Sequence, residues 1–361
     1  MNPSEISNLR LKSQQVEGAK FNSVKAVVGW MVAMQAQDFA MAKWAIGVRL
    51  PGSTDRSIED AFIKAKILRA HLMRPTWHFV SADDFYWLHE LTAPQIKAAM
   101  KSRDDGLGLT DAAVAKSNAV IETALKGGSY MTRDELLPLL TDAGFKNEDN
   151  RIYHLLGRAE LDGVICSGPL KGKRQTHALT SERVPRKKSI SRDSALAELA
   201  KRYISSRGPA TLKDFTWWSG LSAGDARKAL EQTGHGVVRE EAGSQSYWIA
   251  KSLTSSDIAG DSCHLLPAYD EYIIGYSDRS PSISSADQKK AISSNGVFRP
   301  VIVLNSQVIG IWKQAVREDR VIIEALLFKA PSKKIKSLIE SAAATYGQFL
   351  VKQPEMIWES R

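Results

Sequence analysis

The sequence predicts an α+β protein in which a helical unit closed by a β-hairpin recurs, followed by a β-rich C-terminal part. Three observations carry this prediction. The order helix, helix, helix, hairpin occurs between residues 111 and 179 and again between 193 and 250. Each copy opens its second helix with a hydroxyl residue and an acid three positions later, Thr132 with Glu135 and Thr211 with Asp214, which is capping-box spacing. Beyond Lys251 the helical periodicity gives way to short β-prone runs (FRPVIVL, QVIGIWKQAV, RVIIEALLF) before a last helix, KKIKSLIESAAATYGQFLV. A helix-turn-helix followed by a β-ribbon is the winged-helix order, and its recurrence makes accident a poor explanation.

Taken along the chain, residues 23–37 and 39–49 read as successive buried helices, with Asp38 placed to cap the second. SIEDAFIKAK (57–66) is a short amphipathic helix entered through Ser57, and ILRAHLMRPTWHFV (67–80) is strand, turn and strand broken at Pro75. A helix follows from Ser81; the elements before it fit a third, diverged copy of the unit. In the next copy, residues 111–126, MTRDELLPLL and NEDNRIYHLLGRAELDG supply the helices. VICSG and QTHAL are then strands joined by the basic PLKGKR. After the linker PRKKSISRD (185–193), helix 193–206, ATLKDFTWW, helix 222–232 and VVREEAGSQSYWIA repeat that order. The expected divisions are residues 1–105, 106–186 and 187–252 for the units and 253–361 for a C-terminal β-barrel or sheet with its terminal helix.

Charge is unevenly placed. Residues 1–150 carry 18 basic and 18 acidic side chains and residues 231–361 carry 15 of each, so the net +9 lies wholly in residues 151–230, with 16 against 7. A basic middle between neutral ends points to a polyanion contact. On a helical wheel Asn147, Arg151, His154 and Arg158 fall within an arc of about 60°, while Ile152, Leu155, Leu156 and Ala159 occupy the neighbouring arc and bury. A recognition helix needs that division, with donors to phosphates or base edges on its free face. Lys171, Lys173 and Arg174 in the wing, and Arg186, Lys187 and Lys188 in the linker, extend the same sign.

Other chemistries lack their signatures. There is no G-x-G-x-x-G, no P-loop and no G-x-S-x-G. The seven histidines are dispersed without metal-ligand spacing, so neither a metal nor another cofactor is expected. Cys166 and Cys263 form no C-x-x-C pattern, which fits a reducing compartment. The start lacks a signal-peptide apolar region, and the longest apolar run, Ala26 to Met34, is far short of the roughly 20 residues that span a bilayer. No membrane contact is expected, and the location expected is cytoplasmic. Of the acidic doublets, only Asp270-Glu271, inside LLPAYDEYIIGY, has surroundings apolar enough to hold a carboxylate in a defined place, and a structural role is the favoured reading there.

Six stretches, in order, carry a resemblance: MVAMQAQD, LRAHLMRPTWHFVSADDFYWL, GRAELDGVICSGPLKGKRQTHAL, GPATLKDFTWWSGLS, LLPAYDEYIIGYSDRS and NGVFRPVIV-x-x-x-x-VIG-x-W. Together they resemble the AlkZ-type (AlkZ-like) winged-helix proteins, bacterial DNA glycosylases that release alkylated purines, crosslinked ones included. The resemblance runs from about residue 8 to 350. It implies three tandem winged-helix units arranged around a C-terminal β-barrel, and so adds the N-terminal copy. It also implies a catalytic Gln-x-Gln signature, which stands here as Gln35-Ala36-Gln37.

In a continuous helix, residues two apart point about 200° from each other and cannot serve one site. The two amides therefore converge only if the helix ends near Gln35 and Gln37 sits in a bend before Asp38. An amide carbonyl accepts a water proton in a hydrogen bond but is too weak a base to remove it outright. That suffices for a leaving group already cationic, such as an N7-alkylated purine. The expected function is thus a monofunctional glycosylase on duplex DNA, working as a bacterial, nucleoid-associated monomer. The alternative expectation is a winged-helix DNA-binding protein or regulator without catalysis.

Overall fold

Both capping boxes read from the sequence are made in the structure, a computed structural model that describes residues 1–253 and 261–359. The Thr132 hydroxyl accepts the Glu135 N–H at 3.2 Å and the Glu135 carboxylate takes the Thr132 N–H at 2.7 Å; Thr211 and Asp214 do the same at 3.1 and 3.0 Å. Residues 254–260 of the expected C-terminal part, and residues 360 and 361, lie outside the described residues.

In chain order the elements are α1 (Pro3–Ser13), α2 (Val24–Met31), β1 (Ala33–Gln35), α3 (Phe39–Gly47), α4 (Asp55–Ile63), β2 (Ile67–Leu72), β3 (Thr76–Ser81) and α5 (Phe85–Gly106). Then come α6 (Asp111–Leu125), β4 (Tyr130–Thr132), α7 (Arg133–Asp142), α8 (Arg151–Leu161), β5 (Ile165–Ser167), β6 (Thr176–Leu179) and α9 (Thr180–Arg183). The chain continues through α10 (Arg192–Arg207), α11 (Leu212–Ser219), α12 (Ala223–Glu231), β7 (Val237–Ala242), β8 (Gln245–Ala250), β9 (Cys263–Leu266) and α13 (Glu271–Ile274). It ends with α14 (Ser285–Ala291), β10 (Val301–Leu304), β11 (Gln307–Val316), β12 (Arg320–Leu327), α15 (Lys333–Leu350) and β13 (Gln353–Trp358). The chain divides into two compact units, residues 1–59 with 196–361, and residues 60–195.

In the unit of residues 60–195, β2 and β3 pair as the predicted hairpin, from Ile67 opposite Ser81 to Leu72 opposite Thr76. The segment α6–β4–α7–α8–β5–β6 follows, its three strands antiparallel in the order β4-β6-β5. Val114, Ile121, Leu125, Leu136, Leu140, Ile152, Leu155, Leu156 and Ala159 close one apolar core between these helices and the sheet. The burying arc of α8 is therefore the one its periodicity predicts. Its start is not: Asp149 and Asn150 adopt left-handed backbone, φ 51° and 60°, which short polar side chains tolerate, so α8 begins at Arg151 and Asn147 stands outside it.

In the other unit, α10, α11, α12 and the β7–β8 hairpin repeat that order, and Ala210 bridges Trp248 much as β4 pairs with β6. The C-terminal strands form one five-stranded sheet, β13-β12-β11-β10-β9, antiparallel except for the β12–β13 pair. A closed barrel is not formed among the described residues; β9 and β13 remain edges. Helix α15 packs against β9, β12 and β13, so the apolar face is covered by a helix rather than by the sheet curling on itself. Tyr346 of α15 lies 4.9 Å from Trp44 and 5.1 Å from Trp312, ring centre to ring centre. Gly47 permits this approach, since a Cβ there would meet the Phe349 ring at 2.6 Å. Among the described residues, no helix is long and apolar enough to cross a membrane.

Candidate functional site

Helix α2 ends at Met31, four residues before Gln35, because Val32 takes a positive φ of 64° with ψ −59°, close to a γ-turn. A buried β-branched residue in that region is strained by about 1–3 kcal/mol and needs surroundings that impose it. Arg207, at the end of α10, supplies them: Nη1 donates to the Met31 carbonyl at 2.9 Å and Nη2 to the Ala33 carbonyl at 2.7 Å, one on each side of Val32. The chain then runs extended through Gln35. The expected helix over 23–37 is thus corrected, and the period of 3.6 that would part Gln35 from Gln37 does not apply. Strand β1 ends at Gln35, and Ala36 and Gln37 follow it outside any helix or strand. Gln35 is buried at 6% exposure, whereas Gln37 and Asp38 are exposed. Asp38 caps α3 as predicted, its Oδ1 accepting the Met41 N–H at 3.0 Å.

Glu271, the first residue of α13, meets this segment directly. Its Oε1 accepts the Gln35 N–H at 2.8 Å, and its Oε2 accepts Arg207 Nη2 at 2.8 Å and the Trp218 indole N–H at 3.0 Å. Neighbouring Asp270 takes both ends of the Arg49 guanidinium, at 2.8 and 2.9 Å. Arg10 reaches Asp214 at 3.3 Å and lies 3.6 Å over the Tyr276 ring. Three arginines with no exposure are each matched to a carboxylate of 2% exposure or less. Such pairs stand because every charge has a partner; removing one partner typically costs about 3–5 kcal/mol. The apolar context of Asp270-Glu271 foretold defined carboxylates. Nothing in the sequence marked Arg207 and Arg49 as their partners, or Arg10 as the partner of Asp214, because residues so far apart are joined only by folding.

The basic residues singled out in the 60–195 unit fall into two groups. Some are already engaged: Arg151 donates to the Gly108 carbonyl at 3.1 Å, and Arg158 pairs with buried Asp104 at 3.0 Å. Lys171 pairs with Glu135 at 2.9 Å, Arg174 with Asp134 at 3.9 Å and Lys187 with Asp83 at 2.5 Å. The Thr132 N–H, and then Lys171, hold the Glu135 carboxyl down at about 2, so that carboxylate stays charged across the physiological range. Lys173, Arg186 and Lys188 are exposed and enter no ion pair among the described residues. His154 is half-buried on α8, its pKa lowered by burial and then by the charge of Arg103.

Comparison with known proteins places the family and the fold. Residues 28–349 match the family described as DNA glycosylase AlkZ-like. An interstrand DNA cross-link repair glycosylase of Streptomyces sahachiroi is 23% identical over 318 residues, covering 84% of this chain and 85% of that protein. The solved structure of Streptomyces sahachiroi DNA glycosylase AlkZ superposes with a TM-score of 0.82 over 99% of this chain and 100% of that one, at 20% identity, a likeness of fold. With the family match spanning most of its length, this chain belongs to the AlkZ-like DNA glycosylases.

Proposed function

We propose that the chain is a monofunctional glycosylase that hydrolyses the N-glycosidic bond of cationic N7-alkylated purines in duplex DNA, with water positioned by Gln35 and Gln37. The observation that carries this reading is the pairing of a buried Gln35, anchored through its own N–H, with an exposed Gln37 two residues along a non-helical segment. In the reaction, the bond from C1′ to the purine nitrogen breaks and its electron pair neutralises the charged ring. The water oxygen bonds to C1′, and its proton, held in a hydrogen bond by an amide carbonyl, passes to solvent. Two neutral amides stabilise and orient without supplying a strong acid or base, so they serve only a substrate that arrives activated.

The same chemistry extends to purines joined across the two strands, as the name of the Streptomyces relative suggests. A crosslink through purine N7 atoms presents the same cationic leaving group, and cutting either glycosidic bond unhooks it. Residues 1–105, 106–186 and 187–252 are read as winged-helix units of one monomeric chain, the second gripping phosphate. The strand order β4-β6-β5 behind α7 and α8 supports that reading.

The test is a duplex bearing a single 7-methylguanine. Abasic sites that form with the wild-type chain and not with Gln37→Ala support the proposal; tight binding without release overturns it.

A further inference from the structure

A second site lies wholly within residues 60–195, along α8. Tyr153, His154, Gly157, Glu160 and Leu161 recur there at helical spacing and form one wall of a cavity of about 160 Å³; Trp77 and His177 line it as well. Its polar floor is built. Glu160, 3% exposed, accepts the His71 backbone N–H at 2.9 Å on Oε1 and meets His71 Nδ1 at 2.9 Å on Oε2. The His71 ring sits 3.9 Å from the Trp77 ring, whose face also carries the Arg69 guanidinium at 4.4 Å. His154 Nδ1 is buried without a hydrogen-bond partner. Among the described residues no group of three or more His, Cys, Asp or Glu is placed to hold a metal ion.

Gly157 is the telling residue. Mid-helix glycine is unfavourable, and two reasons usually excuse it: left-handed backbone or a tight neighbour. Neither holds here, since its φ is helical and a Cβ built on it meets no atom within 4 Å. What the missing side chain preserves is space beside the cavity.

We propose that this cavity binds a purine base. A cavity of about 150 Å³ accommodates a benzene ring, so the volume here is on the scale of a flat ring system. Exposed Tyr153 offers a ring face, while the Trp77 ring, already carrying His71 and Arg69, closes the wall beside it. Each Glu160 oxygen retains a lone pair for a ring amino group or a positively charged ring, and imidazole nitrogens can meet ring nitrogens in either sense. The proposal rests on family membership for the choice of a nucleobase, and not on the roles given to Gln35 and Gln37. The base has two sources, one released into solution and one extruded from the duplex.

Free 7-methylguanine is titrated into the full chain and followed by saturation-transfer NMR and calorimetry. Separately, a duplex carrying 7-methylguanine beside 2-aminopurine is bound to Gln37→Ala protein, and the 2-aminopurine fluorescence is read. Gly157→Leu fills the space, and Tyr153→Ala removes an exposed wall without touching the core. Binding of the free base weakened at least tenfold by both substitutions supports a released-base site. A fluorescence rise abolished by Gly157→Leu supports an extruded base. Circular dichroism confirms folding of each variant, and Gln37→Ala is expected to bind free base like wild type, which separates this site from the glutamine chemistry. No saturable binding in either arm, or binding unchanged in both variants, overturns the proposal.

Discussion

The backbone N–H of Gln35 ends on Oε1 of Glu271 at 2.8 Å, although 236 positions separate the two residues. The other carboxylate oxygen holds Arg207, whose two terminal nitrogens grip the carbonyls on either side of Val32. One buried ion pair thus fixes both the strained turn that ends α2 and the extended segment that carries Gln35.

Removing either partner leaves the other charge buried. Arg207→Ala and Glu271→Ala are each expected to lower stability by about 3–5 kcal/mol, measured by urea denaturation. A loss below 1 kcal/mol for both, by the same measurement, would contradict the network described.

Gln37 is exposed and makes the less intrusive test of catalysis. Gln37→Ala is expected to keep wild-type stability within about 0.5 kcal/mol while slowing release of 7-methylguanine at least a hundredfold in single-turnover assays. Gln35→Ala should slow release as well, with some loss of stability because its side chain is buried.

The basic side chains differ in what they have left to give to DNA. Lys173→Ala and Lys188→Ala should each reduce the slope of log K against log salt by about one, as loss of a phosphate contact does. Arg158→Ala should change that slope little, since its charge is matched by Asp104. Equal slopes for all three variants would contradict the division into engaged and free cations.

Gly157→Ala should stabilise α8 by about 0.5–1 kcal/mol, because alanine has less backbone freedom to lose and meets no neighbour. A destabilised variant in thermal melts would mean that the glycine is required by packing.

Acid should loosen the 60–195 unit before neutral pH does. Burial lowers the pKa of His89 and His177 from the ordinary 6.5, and burial followed by Arg103 lowers that of His154. For Glu160, burial pushes upward, but the charge and hydrogen bonds of His71 outweigh it and bring the value below 4.5. In every case the unfolded chain binds more protons, so stability rises with pH. The histidine contributions are complete above 6.5 and fade as pH falls through the folded values; that of Glu160 is complete above 4.5 and fades below. Hydrogen exchange of α8 and β6 amides between pH 7.5 and 4 should report this, and protection that grows on acidification would refute it.

Local rules written in adjacent residues were legible without coordinates. The Thr132–Glu135 and Thr211–Asp214 boxes, the Asp38 cap, the 67–80 hairpin and the burying arc of α8 all depend on residues no more than fourteen positions apart, which the sequence displays. Where local preferences were read too far, an identifiable residue intervened: Asp149 and Asn150 shortened α8, and Val32 shortened α2.

The sequence by itself determined the repeated helix-and-hairpin order, the placing of excess positive charge in residues 151–230, and the position of Gln35-Ala36-Gln37 before a capped helix. Only the tertiary structure decided that the last strands form an open sheet covered by α15, and that Arg158 and Lys171 are matched by carboxylates. It also decided that Glu271 and Arg207 hold the Gln35 segment in a shape its own helical propensity opposes. The reason is physical: caps and amphipathic faces arise from neighbours along the chain, whereas a buried charge chooses its partner by desolvation, and burial exists only once distant segments have packed.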